Sequence, residues 1–134
     1  MISDSINQRD VVAEVRTAFE RYEAALLRND VDALNEFFWC SSDTVRYGIA
    51  EHAVGIDAIR RYRRVTPPVH PGRRLLNTVI TTFGRDAASV CTEFTAPDTT
   101  LVGRQTQTWI RIDGAWRIVA AHVSTVDPQS LTRY

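Results

Sequence analysis

The sequence predicts an α+β domain in which helices come first and then cover a curved antiparallel sheet. Apolar residues recur every three or four positions near the N-terminus, whereas the second half alternates apolar and polar residues between turn signals. The chain has 134 residues, the size of one domain. Because long antiparallel strands curl and need cover, we expect a cone with a cavity under the helices, over about residues 10–126 of a single domain 1–134.

Three helices are predicted, and a short strand separates the second from the third. The first is expected to begin at a capping Asp10 and to end near Asn29. Asp30 is expected to cap the second helix, and the third helix is expected to start at Gly55. The spacing of three and four predicts one buried face on the first helix, made of Val12, Val15, Phe19, Tyr22 and Leu26.

The strands are predicted from residue types and from turns. Residues 44–49 are rich in β-formers and predict a short strand. Asp113-Gly114 predicts a tight hairpin, because glycine tolerates the positive φ of the favoured turns. The long strands are expected at residues 74–83, 87–95, 101–112 and 116–126.

Composition excludes several classes of function. Sixteen basic and sixteen acidic residues cancel, so no general field attracts nucleic acid or membrane. No apolar run approaches the ~18 residues that span a bilayer, and residues 1–10 lack the pattern of a signal peptide. The isolated Cys40 and Cys91 predict buried thiols. We therefore expect a cytoplasmic protein.

Four segments carry a family resemblance. Residues 45–51, 77–82, 103–109 and 118–124 are VRYGIAE, NTVITT, GRQTQTW and IVAAHVS. With the order of elements, they resemble the AtzH/HpxZ-type subfamily of the nuclear-transport-factor-two-like (SnoaL-like) superfamily, nearer to its AtzH branch, from about residue 11 to 126. The resemblance implies a cone-shaped fold and a cofactor-free enzyme of cyanuric-acid (s-triazine) catabolism. It would convert 1,3-dicarboxyurea to allophanate with loss of carbon dioxide, beside an amidase-signature hydrolase.

Tyr22 and Arg46 are the candidate catalytic residues. Tyr22 lies on the apolar face of the first helix, so its hydroxyl points inward, either to a backbone carbonyl or to a ligand with which it exchanges a proton. If Val45, Tyr47 and Ile49 face outward, Arg46 faces the cone instead of the solvent. Its guanidinium would then bind a carboxylate of the substrate. The resemblance favours the catalytic alternative for both residues.

Candidate substrate-binding residues lie on the third long strand. Gln105, Gln107 and Trp109 share one face, which is either an exposed polar face or a row of amides for ureido groups. Trp39 follows the second helix and is either a wall of the cavity or part of the core. Glu93 is the carboxylate expected nearest the cavity. The histidines lack zinc-ligand spacing, so we expect no metal and no cofactor.

Several interpretations of partners and chemistry stay open. The expected partners are a small carboxylated ureido substrate, a possible amidase, and further copies of the chain, because an outer sheet face with Trp116, Ile118 and His122 needs cover. Neither direct decarboxylation nor amide hydrolysis is excluded. The alternatives are a non-catalytic accessory of the amidase and a SnoaL-like isomerase or dehydratase that acts on a larger, more apolar ligand. A solvated basic patch, with docking as a weaker alternative, is expected from Arg60, Arg61, Arg63, Arg64, Arg73 and Arg74.

Overall fold

The computed structural model describes residues 2–134, which form three α-helices packed on one curved six-stranded sheet. The helices are α1 (Arg9–Leu27), α2 (Val31–Phe37) and α3 (Ile56–Val65). The strands are β1 (Val45–Tyr47), β2 (His52–Val54), β3 (Arg74–Phe83), β4 (Ala87–Thr95), β5 (Val102–Ile112) and β6 (Ala115–Val126). Short 3₁₀ turns lie at Ile2–Ser5 and Pro128–Ser130. The predicted α+β class is confirmed.

The sheet places the short strands beside the last long one. Its order is β2-β1-β6-β5-β4-β3, and its neighbours are antiparallel except for the parallel pair β1 and β6. The core lies between the inner face of this sheet and the helices, with the Trp109 and Ile118 side chains fully buried. Because β1 is short and flanked by α3, the β1 end of the sheet is where helix and sheet can enclose a space.

Of the two aspartates predicted to cap helices, one does so and the other does not. The Asp30 side chain caps α2 as predicted, since it accepts a hydrogen bond from the Ala33 backbone N–H at 3.1 Å. The prediction that Asp10 caps α1 was wrong, because the helix begins at Arg9. Asp10 lies in the first turn, where a negative charge favours the helix dipole. Its carboxylate instead accepts a hydrogen bond from the Arg85 guanidinium at 2.6 Å.

A bulge in β6 changes which residues face the core. Thr108 pairs with Ala120 and Trp109 pairs with Ile118, so Val119 is an extra residue in β6. The bulge reverses the alternation of side chains. Ile118 and, on the other side of the bulge, Ala121 are therefore both buried.

The outer sheet face is consequently less apolar than expected. Trp116 and Ile118 are buried inside the chain, so their predicted place on an open face was wrong. His122 is exposed on that face, with its ring edge toward the Tyr47 ring. The homodimer through this face stays a prediction.

The two cysteines do not lie where the sequence predicts them. Cys40 and Cys91 are free and exposed, so the prediction of buried thiols was wrong. Cys40 lies in the loop after α2. Cys91 lies on β4 between the buried residues Val90 and Thr92, so its side chain points outward.

Within residues 2–134, no helix combines the length and the apolar character needed to cross a membrane.

Candidate functional site

A cavity of about 150 Å³ lies between α1, α3 and the inner face of the sheet. Drug-sized ligands occupy pockets of roughly 300–1,000 Å³, so this one suits a smaller molecule. Its lining is mixed, with apolar side chains beside amides and charged groups. The lining residues are Tyr22, Leu26, Arg46, Ile49, Glu51, Tyr62, Arg63, Thr66, Val69, Arg73, Phe94, Gln105, Gln107, Ala121 and Val123.

Arg46 enters the cavity from the middle of β1. It lies opposite Ala121 of β6, and its side chain faces inward, so the residue is only 7% exposed. The guanidinium lies over the Tyr62 ring, 4.1 Å from the centroid, and this contact stabilises the cation. Its Nη1 also donates a hydrogen bond to Glu51 Oε1 at 3.3 Å. Arg46 is therefore held at the cavity wall and already faces a carboxylate.

The turn between β1 and β2 brings Glu51 to this arginine. Gly48 lies under the Glu51 side chain, and a Cβ at this position would be 1.9 Å from Glu51 Oε1. Only glycine allows this approach. The Glu51 side chain is 36% exposed, so the carboxylate can move into solvent if another anion approaches Arg46.

Tyr22 lies on the buried face of α1, and its ring is surrounded by other aromatic rings. Phe37, Phe38 and Trp109 contact it edge to face at centroid distances of 5.7, 6.2 and 6.3 Å. Burial raises the pKa of the Tyr22 phenol above its usual value, and Arg63 is the largest influence that opposes this rise. The phenol is therefore protonated at neutral pH, with a cation near enough to stabilise its anion.

The inner face of β5 supplies two amides. Gln107 Oε1 accepts a hydrogen bond from Trp109 Nε1 at 3.0 Å, which orients the Gln107 amide and leaves its N–H groups available. Gln105 and Gln107 both line the cavity. Trp109 is fully buried beneath them and belongs to the core. Trp39 lies outside the lining, where its backbone N–H donates to the Ile118 carbonyl at 3.0 Å.

A buried ion pair that the sequence did not predict forms another wall of the cavity. Arg73 donates from Nε and Nη2 to the two carboxylate oxygens of Glu23 at 3.2 and 3.3 Å. Gln105 joins both partners, since its Oε1 accepts from Arg73 and its Nε2 donates to Glu23, each at 3.2 Å. The Arg73 guanidinium also lies 4.0 Å from the Phe94 ring centroid. Each partner of this pair has its charge and its hydrogen bonds satisfied.

Arg63 lies on the inner face of α3 and is only 6% exposed. Ile56 and Ile59 share that face, seven and four residues earlier. Its Nη2 is buried and has no hydrogen-bond partner among residues 2–134. The predicted solvated patch was therefore wrong for Arg63 and Arg73, which line the cavity. It holds for the exposed members Arg60, Arg61, Arg64 and Arg74.

Glu93 was expected to be the carboxylate nearest the cavity, and this was wrong. It faces the other side of β4, where its carboxylate accepts hydrogen bonds from Asn77 at 2.9 Å and from Arg133 at 2.6 Å. The carboxylates at the cavity are instead Glu51, which lines it, and Glu23, which binds two lining residues. The inner position of Glu23 follows from the spacing of α1, because it lies four residues after Phe19.

Comparison with known proteins places the chain in a family. The AtzH-like family model matches residues 4–129, so the chain belongs to the AtzH-like family. No curated protein matches the chain in sequence.

Solved structures include two that are similar in both sequence and fold. A protein with a cystatin-like fold from Burkholderia xenovorans LB400 is 53% identical, with a TM-score of 0.89 over 90% of this chain and 95% of that chain. A protein of unknown function from Pectobacterium atrosepticum SCRI1043 is 52% identical, with a TM-score of 0.91 over 94% and 98% of the two chains. An NTF2-like protein of unknown function from Pseudomonas putida KT2440 is 19% identical over 87% of each chain, with a TM-score of 0.72, and shares the fold.

Proposed function

We propose that this member of the AtzH-like family is a cofactor-free enzyme that removes carbon dioxide from a small N-carboxylated ureido acid. The substrate we propose is 1,3-dicarboxyurea, and the product is allophanate. One observation carries the proposal: a small cavity holds a protonated phenol, buried guanidinium groups and free amide N–H groups together. Such a set matches a substrate with carboxylates at its ends and a urea carbonyl between them.

Arg46 would hold the carboxylate that stays on the product. A guanidinium binds a carboxylate through a planar fork of donors. Glu51 Oε1 accepts from Nη1 of Arg46, so this donor already has the geometry for a carboxylate. A substrate carboxylate would replace Glu51, whose side chain can turn into solvent. The exchange conserves the charge around Arg46.

Tyr22 would supply the proton that carbon dioxide loss requires. The bond between the departing carboxylate carbon and the terminal nitrogen breaks, carbon dioxide leaves, and the electron pair stays on nitrogen. The Tyr22 hydroxyl donates its proton to that nitrogen, and water returns a proton to the tyrosinate. Burial keeps the phenol protonated before the step, and the arginines around it stabilise the tyrosinate after the step. The dianion plus one proton thus gives allophanate plus carbon dioxide.

Gln107 would hold the urea carbonyl. Its amide oxygen is occupied by Trp109 Nε1, so the amide presents N–H donors to the cavity. Gln105 would contribute by shape and by fixing Arg73, because both ends of its amide are already bonded. Trp109 acts through Gln107, and Trp39 has no role in this arrangement.

The Tyr22 role is tested by carbon dioxide release from dicarboxyurea that a partner amidase generates freshly, with spontaneous loss subtracted. Tyr22→Phe is expected to lower the rate by roughly 10²–10⁴-fold, the usual contribution of one general acid. Tyr47→Phe is the matched control, because that tyrosine is exposed on the outer sheet face. A Tyr22→Phe protein with full activity would contradict the assigned proton donor.

The Arg46 role is tested in the same assay. Arg46→Ala is expected to abolish the acceleration, whereas Arg60→Ala, an exposed change on α3, should leave it intact. Mass spectrometry that separates dissolved carbon dioxide from bicarbonate as first product decides between decarboxylation and hydrolysis. If the folded wild-type protein gives no acceleration, the enzyme proposal fails and an accessory role beside the amidase replaces it.

A further inference from the structure

A second buried guanidinium near Tyr22 has no anion to bind. Arg63 lies on the inner face of α3 and lines the cavity, and its Nη2 is buried without a hydrogen-bond partner in the described part of the chain. A buried donor without a hydrogen-bond partner costs folding free energy, and the cost is larger when the donor carries a charge. Water or a ligand in the cavity is the partner that remains for it.

The charges around the cavity do not balance. Glu51 pairs with Arg46 and Glu23 pairs with Arg73. No carboxylate of residues 2–134 lies within 4.0 Å of the Arg63 guanidinium, which leaves one buried positive charge over. Buried charges in proteins are paired or bind ions, so the unpaired Arg63 guanidinium favours binding of an anion in the cavity.

Arg63 and Arg46 lie near the same aromatic ring. The Tyr62 centroid is 4.1 Å from Cζ of Arg46 and 5.3 Å from Cζ of Arg63. Both guanidiniums therefore line one end of a cavity that has room for only a small molecule. A short ligand with a carboxylate at each end can reach both of them.

We propose that Arg63 is an anion-binding residue that selects ligands with two carboxylates, holding one carboxylate beside Tyr22 while Arg46 holds the other. The inference rests on the proposed function for the ureido nature of the ligand, and on the unpaired guanidinium for its second charge. The Arg63 carboxylate is the one that leaves as carbon dioxide. Its position is supported by the cavity itself, since Arg63 and Tyr22 both line it, and by the lowering effect of Arg63 on the pKa of the Tyr22 phenol.

The test uses stable ligands that differ only in charge. Glutarate has the chain length of dicarboxyurea but no scissile bond between nitrogen and carboxylate, and glutaramate and glutaramide replace one and both carboxylates by amides. Calorimetric titration of the wild-type protein is expected to show about tenfold or more tighter binding for each carboxylate. Glutarate is then the tightest of the three ligands.

Arg63→Met is expected to remove one of these steps, so that glutarate and glutaramate bind with nearly equal affinity. Arg63→Lys keeps a charge and should restore part of the preference. Arg64→Met, an exposed change on the same helix, should behave as wild type. Circular dichroism checks that each variant is folded, and Arg63→Lys carries the test if the methionine variant is not.

Two results of the binding titrations would overturn the inference. One is a wild-type protein that binds glutarate and glutaramate equally, and the other is a folded Arg63→Met protein that keeps the full preference. Failure of the proposed function is distinct from both, since it appears as unaccelerated loss of carbon dioxide while the Arg63-dependent preference persists. Conversely, if wild type and Arg63→Met release carbon dioxide at the same rate, the proposed function stays supported, and the role proposed for Arg63 is contradicted.

Discussion

Two walls of the cavity hold buried arginines in opposite states. On one wall, Arg73 has a carboxylate, an amide and an aromatic ring as partners. On the other, Arg63 is only 6% exposed and has an unpartnered Nη2. The difference teaches that burial alone does not assign a role to an arginine. The paired one is part of the framework, and the unpaired one is where the protein departs from its most stable arrangement, as binding sites do.

The largest expected effect comes from breaking the paired wall. Glu23→Ala leaves Arg73 buried without its carboxylate, and loss of one partner of a buried pair costs about 3–5 kcal/mol. The free energy of unfolding, measured with urea, should fall by that amount. Glu20→Ala, an exposed change on the same helix, is the control and should have little effect.

A double-mutant cycle sharpens this result. If Glu23 and Arg73 act as a pair, the Glu23→Ala, Arg73→Met protein should be more stable than Glu23→Ala alone, because the second change removes the orphaned charge. Additive losses in the cycle would show that the two side chains contribute independently, contrary to the paired state of this wall.

On the wall that holds the unpaired Arg63, a substitution is expected to raise the free energy of unfolding instead of lowering it. Arg63→Met removes a buried unpaired charge and keeps an apolar side chain of similar length. The free energy of unfolding of the ligand-free protein should therefore rise by about 1–3 kcal/mol. Arg64→Met is the control on the exposed side of α3. A loss of stability in Arg63→Met would mean that Arg63 has a framework role like that of Arg73.

Most of the fold was predictable because turns and periodicity act locally. Asp113 and Gly114 have positive φ values of 51° and 81°, as the predicted hairpin requires. The strands β3 and β4 have the predicted bounds. The bulge at Val119 was not predictable, since no glycine or proline marks it, and it moved Trp116 and Ile118 into the core. The three-residue β2 was missed because so short a segment carries no pattern.

The cavity was predictable only where one element decides the direction of a side chain. Alternation along β1 offered an inward Arg46 as one of two alternatives, and helical spacing placed Tyr22 on the inner face of α1. The same spacing also places Glu23 and Arg63 inside, but charged side chains were assumed to face water. Arg73 is different, because its partner Glu23 is 50 residues away and no local pattern links them.

A smaller loss of stability is expected from displacing the Phe94 ring that covers the Arg73 guanidinium. A Cβ on Gly103 would lie 2.1 Å from the Phe94 ring, which stacks on the Arg73 guanidinium. Gly103→Ala must displace this ring and should lower the free energy of unfolding by about 1 kcal/mol, at the low end for overpacking because one ring can move. Gly114→Ala is not a suitable control, since its φ is positive. Thr106→Ala, on the exposed face of β5, is suitable.

The smallest effect on stability is expected for Glu93 and Arg133, an ion pair of the same residue types at the protein surface. Hydrogen bonds from Arg133, and then from Asn77, lower the pKa of Glu93 to about 2. A lowered folded-state pKa adds stability above the ordinary value of 4.5, and this stability is lost as the pH falls toward 2. Because the Arg133 side chain is 62% exposed, solvent screening keeps this contribution smaller than that of the buried Glu23–Arg73 pair.

Arg133→Gln tests this exposed reference pair. Nuclear magnetic resonance titration should show the pKa of Glu93 moving up toward 4.5, while the free energy of unfolding at neutral pH falls by less than it does in Glu23→Ala. The difference from wild type should shrink as the pH falls from 4.5 toward 2, because Glu93 becomes protonated in the variant first and in wild type only near pH 2. A loss as large as that of Glu23→Ala would contradict the comparison, because burial would then not be what separates the paired wall of the cavity from a surface ion pair.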